Sequence, residues 1–461
     1  MTTPIDEPPK GELEDAGLDA RALTRKQFVT TAVGAAVAVT PLLSGAARAA
    51  TYRTAATARA AKGKVVIGAF VDGGLVPFKD KIIPLFQRET GIKVEFLQDD
   101  YSTFFEKAFQ DGVTKAGQFD IYVMDDPWIP QYSSAPVLQN LTKLGFQPDA
   151  DYMKPFLDLG WWPPKSGPRL PQFKNATPQL YALPFVGDMQ SLTYRKDAFG
   201  HAPKTWNELV TVARAKMKPP QTYGYVFRGV KGNSIVASWF PVFRSQGGRI
   251  FDNNWKVIWN DAAGKRATEF FVHTLKSIAP PGIVEYDSDQ EGAAILGGKA
   301  LSIVQYSGNA IKSNDPKESK EVGKLAFGTV PRGPGGSIAQ IGIFISGISV
   351  SAPNQANAVV FQKWFVTKKA QIALARAGSL PVKRSAFLDA QASKHNPLQK
   401  TILAQLIAGA EARPRTPDWG KVEDILGTEL NKALAAGTVG NHLDNAASQA
   451  TAFLKKNGYY K

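Results

Sequence analysis

Asp125 and Asp126 stand side by side, with Pro127 and Trp128 next, at the end of the apolar run Phe119–Met124. Two adjacent carboxylates can act as acid–base catalysts, metal ligands, hydrogen-bond acceptors for a ligand, or a helix cap. Glycoside cleavage needs two carboxyl groups flanking the scissile bond, about 5–9.5 Å apart. Neighbours on one strand end address a ligand from the same side, so other acids would have to supply the partner. The chain has no cysteine, which excludes disulfides, thiolate metal sites and cysteine nucleophiles. Its four histidines, His201, His273, His395 and His442, have no metal-site spacing. The stretch EGAAILGGKA (Glu291–Ala300) approaches a phosphate-binding loop, but Ala293 replaces the first glycine and Ala300 the magnesium-holding Ser/Thr. No G-x-S-x-G elbow or H-E-x-x-H pair occurs. No cofactor or metal is expected. Two roles stay open for the acid pair: ligand acceptor, or cap, with Asp126 as N-cap and Pro127 in the first turn.

The elements around the pair are legible. Lys64–Phe70, Ile92–Leu97 and Phe119–Met124 read as strands, separated by helical patterns over Val76–Glu89 and Tyr101–Ala116. Strand–helix alternation at this spacing predicts βαβ units and a mostly parallel sheet, with ligands outside the carboxyl ends of the strands. Asp125, Asp126 and Trp128 lie at such an end, as do Asp72 and Tyr101. Further strands are expected at Tyr181–Phe185, Ser191–Tyr194, Ala300–Gln305, Leu325–Thr329 and Ile341–Val350. Thr205 and Glu208 form a capping-box pattern at a helix start, and helices are expected over 235–247, 262–277, Asn354–Phe365, Lys369–Ala377, Pro397–Ala410 and, in two pieces, 419–456.

The 461 residues, 44% hydrophobic, suffice for two or three domains. The formal charge is +15, but lysines and arginines are scattered, which predicts a basic surface and no nucleic-acid partner. Near the N-terminus, Thr24–Val29 (TRKQFV) precedes the small apolar run TTAVGAAVAVTPLLSG and the cleavage pattern Ala47-Arg48-Ala49. This predicts a cleaved export signal over residues 1–49 and a flexible lead-in over 50–61. The signal resembles a twin-arginine signal with Lys26 in place of the second arginine, so the general secretory route stays open. With no cysteine for a lipid anchor, a soluble periplasmic protein is expected.

Several phrases, in order, resemble the extracellular solute-binding proteins of ABC importers, family 1. These are FQRETGIKV (Phe86–Val94), Phe119–Trp128, Tyr181-Ala182-Leu183-Pro184, Leu192-Thr193-Tyr194-Arg195-Lys196-Asp197, Pro203-x-Thr205-Trp206-x-Glu208-Leu209, Gly298-Lys299-Ala300-Leu301, Gly378-Ser379-Leu380-Pro381-Val382-Lys383, and Arg413-Pro414 through Trp419. The resemblance covers roughly residues 64–456. It implies an α/β, two-lobed periplasmic-binding-protein fold (type II-like) with discontinuous lobes and three hinge crossings, near 185–192, 338–345 and 379–384. The first lobe would be 62–188 plus 344–380 and the second 189–343 plus 381–461. It implies a monomeric binding component, without enzymatic activity, that captures a sugar, oligosaccharide or polyol and delivers it to an inner-membrane permease and its ATPase. A cationic solute such as a polyamine is the alternative, and a secreted carbohydrate-active enzyme a remote one.

A sugar needs carboxylate or amide acceptors for its hydroxyls and aromatic rings for its C–H face. On that basis the ligand contacts expected are Asp125, Asp126 as hydroxyl acceptor, Trp128 as stacking wall, Asp188 at the first crossing, and Tyr306 and Asn309 after the strand Ala300–Gln305. Trp162 in the proline-rich loop, Trp239, Phe344 near the second crossing, Asp72 and Tyr101 complete the set.

Overall fold

The computed structural model describes residues 63–460 apart from Pro397, with the side chains of Asn309 and His395 also outside the description. The export signal and lead-in expected over 1–61 lie outside the described residues. Eight strands frame the molecule: β1 (Lys64–Phe70), β2 (Lys93–Asp99), β3 (Ile121–Asp125), β4 (Leu183–Val186), β5 (Ser191–Arg195), β6 (Ser302–Gln305), β7 (Leu325–Gly328) and β8 (Phe344–Ile348). They form two sheets. The larger runs β2-β1-β3-β8-β4, and the smaller runs β6-β5-β7.

In the larger sheet, β1 pairs parallel with β2 and β3, as the alternating pattern requires. Six of the seven β1 residues are buried, because helices cover both faces of this interior strand. The edge strand β2 alternates exposed and half-buried residues. Strand β8 returns from far along the chain and lies antiparallel to β3, with Phe344 opposite Asp125. Phe344 is also opposite Val186 of β4. One register therefore puts an aspartate and a phenylalanine together at the carboxyl end of β3.

Helices α1 (Ile83–Thr90) and α2 (Tyr101–Thr114) connect the parallel strands. The first stops at Gly91, whose φ of 74° is left-handed. In α2, Asp100 is the cap, its carboxylate accepting from the Thr103 N–H. Beyond β5 follow α3 (Trp206–Lys216), α4 (Asn233–Ser245), α5 (Ser288–Leu296) and α6 (Ser307–Ile311). Thr205 caps α3 through its Oγ1, 3.1 Å from the Glu208 N–H. The returning Glu208 bond lands on the Lys204 N–H instead of that of Thr205, a near-variant of the expected box. Helices α7 (Gln355–Phe365) and α8 (Lys368–Arg376) back the larger sheet. There Phe78, Phe86, Phe185, Phe361 and Phe365 meet edge-on or tilted. Helix α9 (Leu398–Ala408) touches the smaller sheet, as α10 (Trp419–Ala436) touches α4; α11 (His442–Lys456) packs on α10.

Two links between the sheets run side by side. The Gln190 N–H donates to Gln340 O and the Gly342 N–H to Asp188 O, and Met189 bridges Ile341. These are the segments where the first two crossings are expected. At the third, Lys383 bridges Tyr152 and its ammonium, almost fully buried, is bound to Asp149; the short helix Arg384–Phe387 that follows touches both α8 and α9. No described helix is long and apolar enough to cross a membrane.

Candidate functional site

A cleft of about 600 Å³ opens between the sheets, at the carboxyl end of β1 and β3. On the larger-sheet side, Phe70 ends β1 and stacks on Phe344, with ring centroids 5.1 Å apart and planes 20° apart. Tyr101, the first residue of α2, meets Phe70 edge-on. Together the three rings make an apolar wall.

Asp125 borders that wall. Its carboxylate accepts from Arg413 Nη1 at 2.7 Å, from Arg413 Nη2, and from the Tyr101 hydroxyl at 2.9 Å. The Trp128 Nε1–H in turn donates to the Tyr101 oxygen at 2.9 Å. Asp125 Oδ1 also accepts from the Asp126 N–H, so Asp125 caps the following turn. Of the two roles left open for Asp126, the cap falls to its neighbour: Asp126 begins the turn, ahead of Pro127.

Asp126 is also displaced from its expected role as hydroxyl acceptor. Its side chain is fully buried, 2.7 Å from Arg413 Nη2 and 3.7 Å from Arg415 Nη1. Burial pushes its carboxyl up to about 6, against the opposing pull of Arg413. Arg413 and Arg415 follow α9, so they reach Asp125 and Asp126 across the boundary between the two sheets' helices. Arg415 also donates to the carbonyl oxygens of Asp126 and Leu159.

The linker side contributes acids and a ring. Asp72 accepts from the Gly74 N–H at 2.7 Å, and burial raises its carboxyl above the ordinary range. Asp188 accepts from the Ser307 N–H at 2.7 Å; burial, then the charge of Asp72, push it up to about 8. Tyr306 sends its hydroxyl to Gln340 Oε1 at 2.5 Å. Its ring lies over Gly342, where a Cβ would stand 2.5 Å from a ring carbon, so only glycine lets it close down. The smaller-sheet side adds Arg228, Lys231, Asp287, Asp289, Glu291 and Lys312.

Of the residues expected from sequence, Asp72, Tyr101, Asp125, Asp188, Tyr306 and Phe344 come together on this cleft. Others do not. Trp128 stands behind Tyr101, packed on Phe70 and Phe105 and stacked on Tyr132, so it props the wall without forming it. Trp162 is buried against Phe173, and neighbouring Trp161 lies under the Lys165 ammonium. Trp239 is fully buried in α4, stacked on Phe243 and bonded to Thr268 Oγ1. These indoles fill cores because α4 and the proline-rich loop point them inward, and no described tryptophan lines the cleft. The Asn309 side chain lies outside the described residues. Arg413, Arg228, Glu291 and Phe70 line the cleft but were not anticipated. Arg413 opens the phrase Arg413-Pro414 through Trp419, the one signal that marked it. No group of three or more His, Asp or Glu side chains among the described residues is arranged to hold a metal.

The model of the bacterial extracellular solute-binding protein family matches residues 72–372. A probable amino-acid ABC transporter periplasmic-binding protein of Sinorhizobium fredii is 24% identical over 384 residues, covering 82% of this chain and 86% of that one. A mannitol-binding protein of Pseudomonas aeruginosa is 29% identical over 192 residues, 38% of this chain and 44% of that one. Among solved structures, an ABC transporter solute-binding protein of Agrobacterium radiobacter K84 in complex with ribitol has a TM-score of 0.73 at 25% identity, covering 86% of this chain and all of that one. One from Agrobacterium vitis S4 with bound D-mannitol has a TM-score of 0.72 at 22% identity, covering 87% of this chain and all of the other, and shares the fold.

Proposed function

The chain belongs to the bacterial extracellular solute-binding protein family, and from that premise we propose that it is the capture component of an ABC importer for a small uncharged polyol or monosaccharide. The observation that carries this reading is Asp125 beside the Phe70–Phe344 wall. Two arginine N–H groups and the Tyr101 hydroxyl aim the carboxylate next to an apolar ring face. That pairing suits a molecule with hydroxyls on one side and C–H on the other. Relatives bound to ribitol and D-mannitol support it. The absence of tryptophan from the described lining favours a small ligand over an oligosaccharide, which would need successive stacking platforms. A cationic solute is the second reading: Asp72 and Asp188 favour it, while Arg228 on the same cleft counts against it.

Capture without catalysis is part of this reading. Asp125 and Asp126 are both engaged by one guanidinium, so these two do not flank a bond to be cleaved. In this reading the protein works in the periplasm as a monomer. The two lobes, 62–188 with 344–380 and 189–343 with 381–461, close on the solute like a hinged clamp. The closed form docks on an inner-membrane permease driven by an ATPase. To move an open–closed balance from 1:99 to 99:1 the ligand must prefer the closed form by about 5.5 kcal/mol.

The test is a thermal-shift screen of residues 50–461 against pentitols, hexitols, hexoses, maltotriose, amino acids and polyamines. A ligand binding only the native state raises the melting temperature. A shift with a polyol or monosaccharide is expected. A shift confined to amino acids or polyamines would replace the substrate class.

A further inference from the structure

The smaller-sheet wall of the cleft holds a buried carboxyl oxygen with no hydrogen-bond partner, beside an arginine. Glu291, on α5, lines the cleft and is only 1% exposed, yet its Oε1 has no hydrogen-bond partner. Arg228 lines the same space and is 9% exposed. Its backbone N–H is fixed by Ser238 Oγ at 3.0 Å. Its guanidinium lies 5.6 Å from the centre of the Tyr306 ring, and its charge pulls down the carboxyls of Glu291, Asp72 and Glu423 without a hydrogen bond to any of them. Buried groups of this kind are normally paired, and each unpaired one costs stability. Across the cleft the same two group types, Arg413 and Asp125, are locked onto each other. Arg228 and Glu291 are not.

The chemistry of the two groups narrows what fits between them. A guanidinium only donates; a neutral carboxyl, the form burial favours for Glu291, donates through one oxygen and accepts through the other; a hydroxyl does both. One hydroxyl, or two vicinal ones, can accept from Arg228 and exchange a hydrogen bond with Glu291. A ligand ammonium can only donate, so it leaves Arg228 unbonded and sets a like charge against it in a water-poor wall.

We propose that Arg228 and Glu291 together read hydroxyls of an uncharged ligand, and that this pair makes the cleft reject the amine analogue of the same carbon skeleton. The proposal rests on the polyol reading of the cleft and adds its specificity determinant.

Calorimetric titration of residues 50–461 with ribitol, D-mannitol and D-sorbitol identifies a binder. The same titration is then run with that polyol's 1-amino-1-deoxy analogue. The polyol is expected to bind at least about tenfold tighter than the amine. Arg228→Met is expected to weaken polyol binding by about ten- to a hundredfold, the loss of a hydrogen bond to a charged group, and Glu291→Leu by about tenfold, the loss of a neutral one. Glu291→Gln, which keeps a donor and an acceptor, should stay within a few-fold. Because Glu291 Oε1 has no hydrogen-bond partner in the protein, the unliganded melting temperature of Glu291→Gln should hold or rise. Polyol affinity unchanged in Arg228→Met and Glu291→Leu overturns the pair while leaving the polyol reading intact. So does an amine analogue that matches the polyol, or an unliganded melting temperature that drops by several degrees in Glu291→Gln. Binding of none of the three polyols, nor of any hexose, overturns both.

Discussion

Arg413→Met removes the guanidinium that joins two carboxylates across the sheet boundary. The arginine side chain is 3% exposed and that of Asp126 0%, so the ion triad is shielded from water. Three N–H···O bonds disappear, two to Asp125 and one to Asp126. What remains near Asp126 is Arg415, at 3.7 Å. Breaking a buried pair by deleting one partner costs about 3–5 kcal/mol, because the other charge stays buried. For about 400 ordered residues the unfolding entropy is roughly 0.8 kcal/mol per kelvin, so the melting temperature should fall by about 4–6 °C. The loss should depend on pH. Asp126 is raised in the folded state to about 6, so the stability it contributes is full below its unfolded value near 4 and fades as pH rises through 6. At pH 5 it is mostly neutral with or without Arg413, and the variant loses less. At pH 8 the wild type holds it ionised against Arg413, whereas the variant must protonate it or bury an unpaired charge. Differential scanning fluorimetry at pH 5 and pH 8 reads both effects. A drop under 1 °C at pH 8, or an equal drop at both pH values, would refute the reasoning.

Three other predictions follow from placement. Trp239→Ala should destabilise the protein by about 3–5 kcal/mol, since the indole is fully buried on Phe243, and should leave ligand affinity within twofold by calorimetry. Gly342→Ala sets a methyl into the Tyr306 ring; it should cost about 1–3 kcal/mol and weaken the ligand, measured by melting and titration together. Burial raises Glu291 and Asp188 to about 8 and Glu423 to about 7. Their stabilisation is full below about pH 4 and is lost as pH rises through 7 and 8. The unliganded melting temperature should therefore fall from pH 6 to pH 9, and Glu291→Gln should flatten that fall.

What could be read from sequence was local. The three parallel strands, the Thr205 cap and the split of 419–456 into two helices all follow from periodicity and capping within about twenty residues. Asp125 and Tyr101 were visible because a strand and a helix end beside them. The partner that defines Asp125 lies 288 residues away, and no local pattern announces which arginine will arrive. The tryptophans misled for a related reason: an indole's type fits both a cleft and a core, and only the helix face decides, as Trp239 on α4 illustrates. Arg228 carries no signal in its neighbours, and Glu291 stood in a motif rejected for phosphate binding. Its significance comes from what it fails to bond, which only the folded chain displays.

The most direct test of the central claim is titration calorimetry of residues 50–461 with ribitol, D-mannitol and maltotriose, repeated with Asp125→Asn. The account predicts that one of the polyols binds, that maltotriose does not compete with it, and that Asp125→Asn weakens the polyol at least about tenfold. Tight binding of maltotriose with no response to either polyol, or polyol binding indifferent to Asp125→Asn, would contradict it.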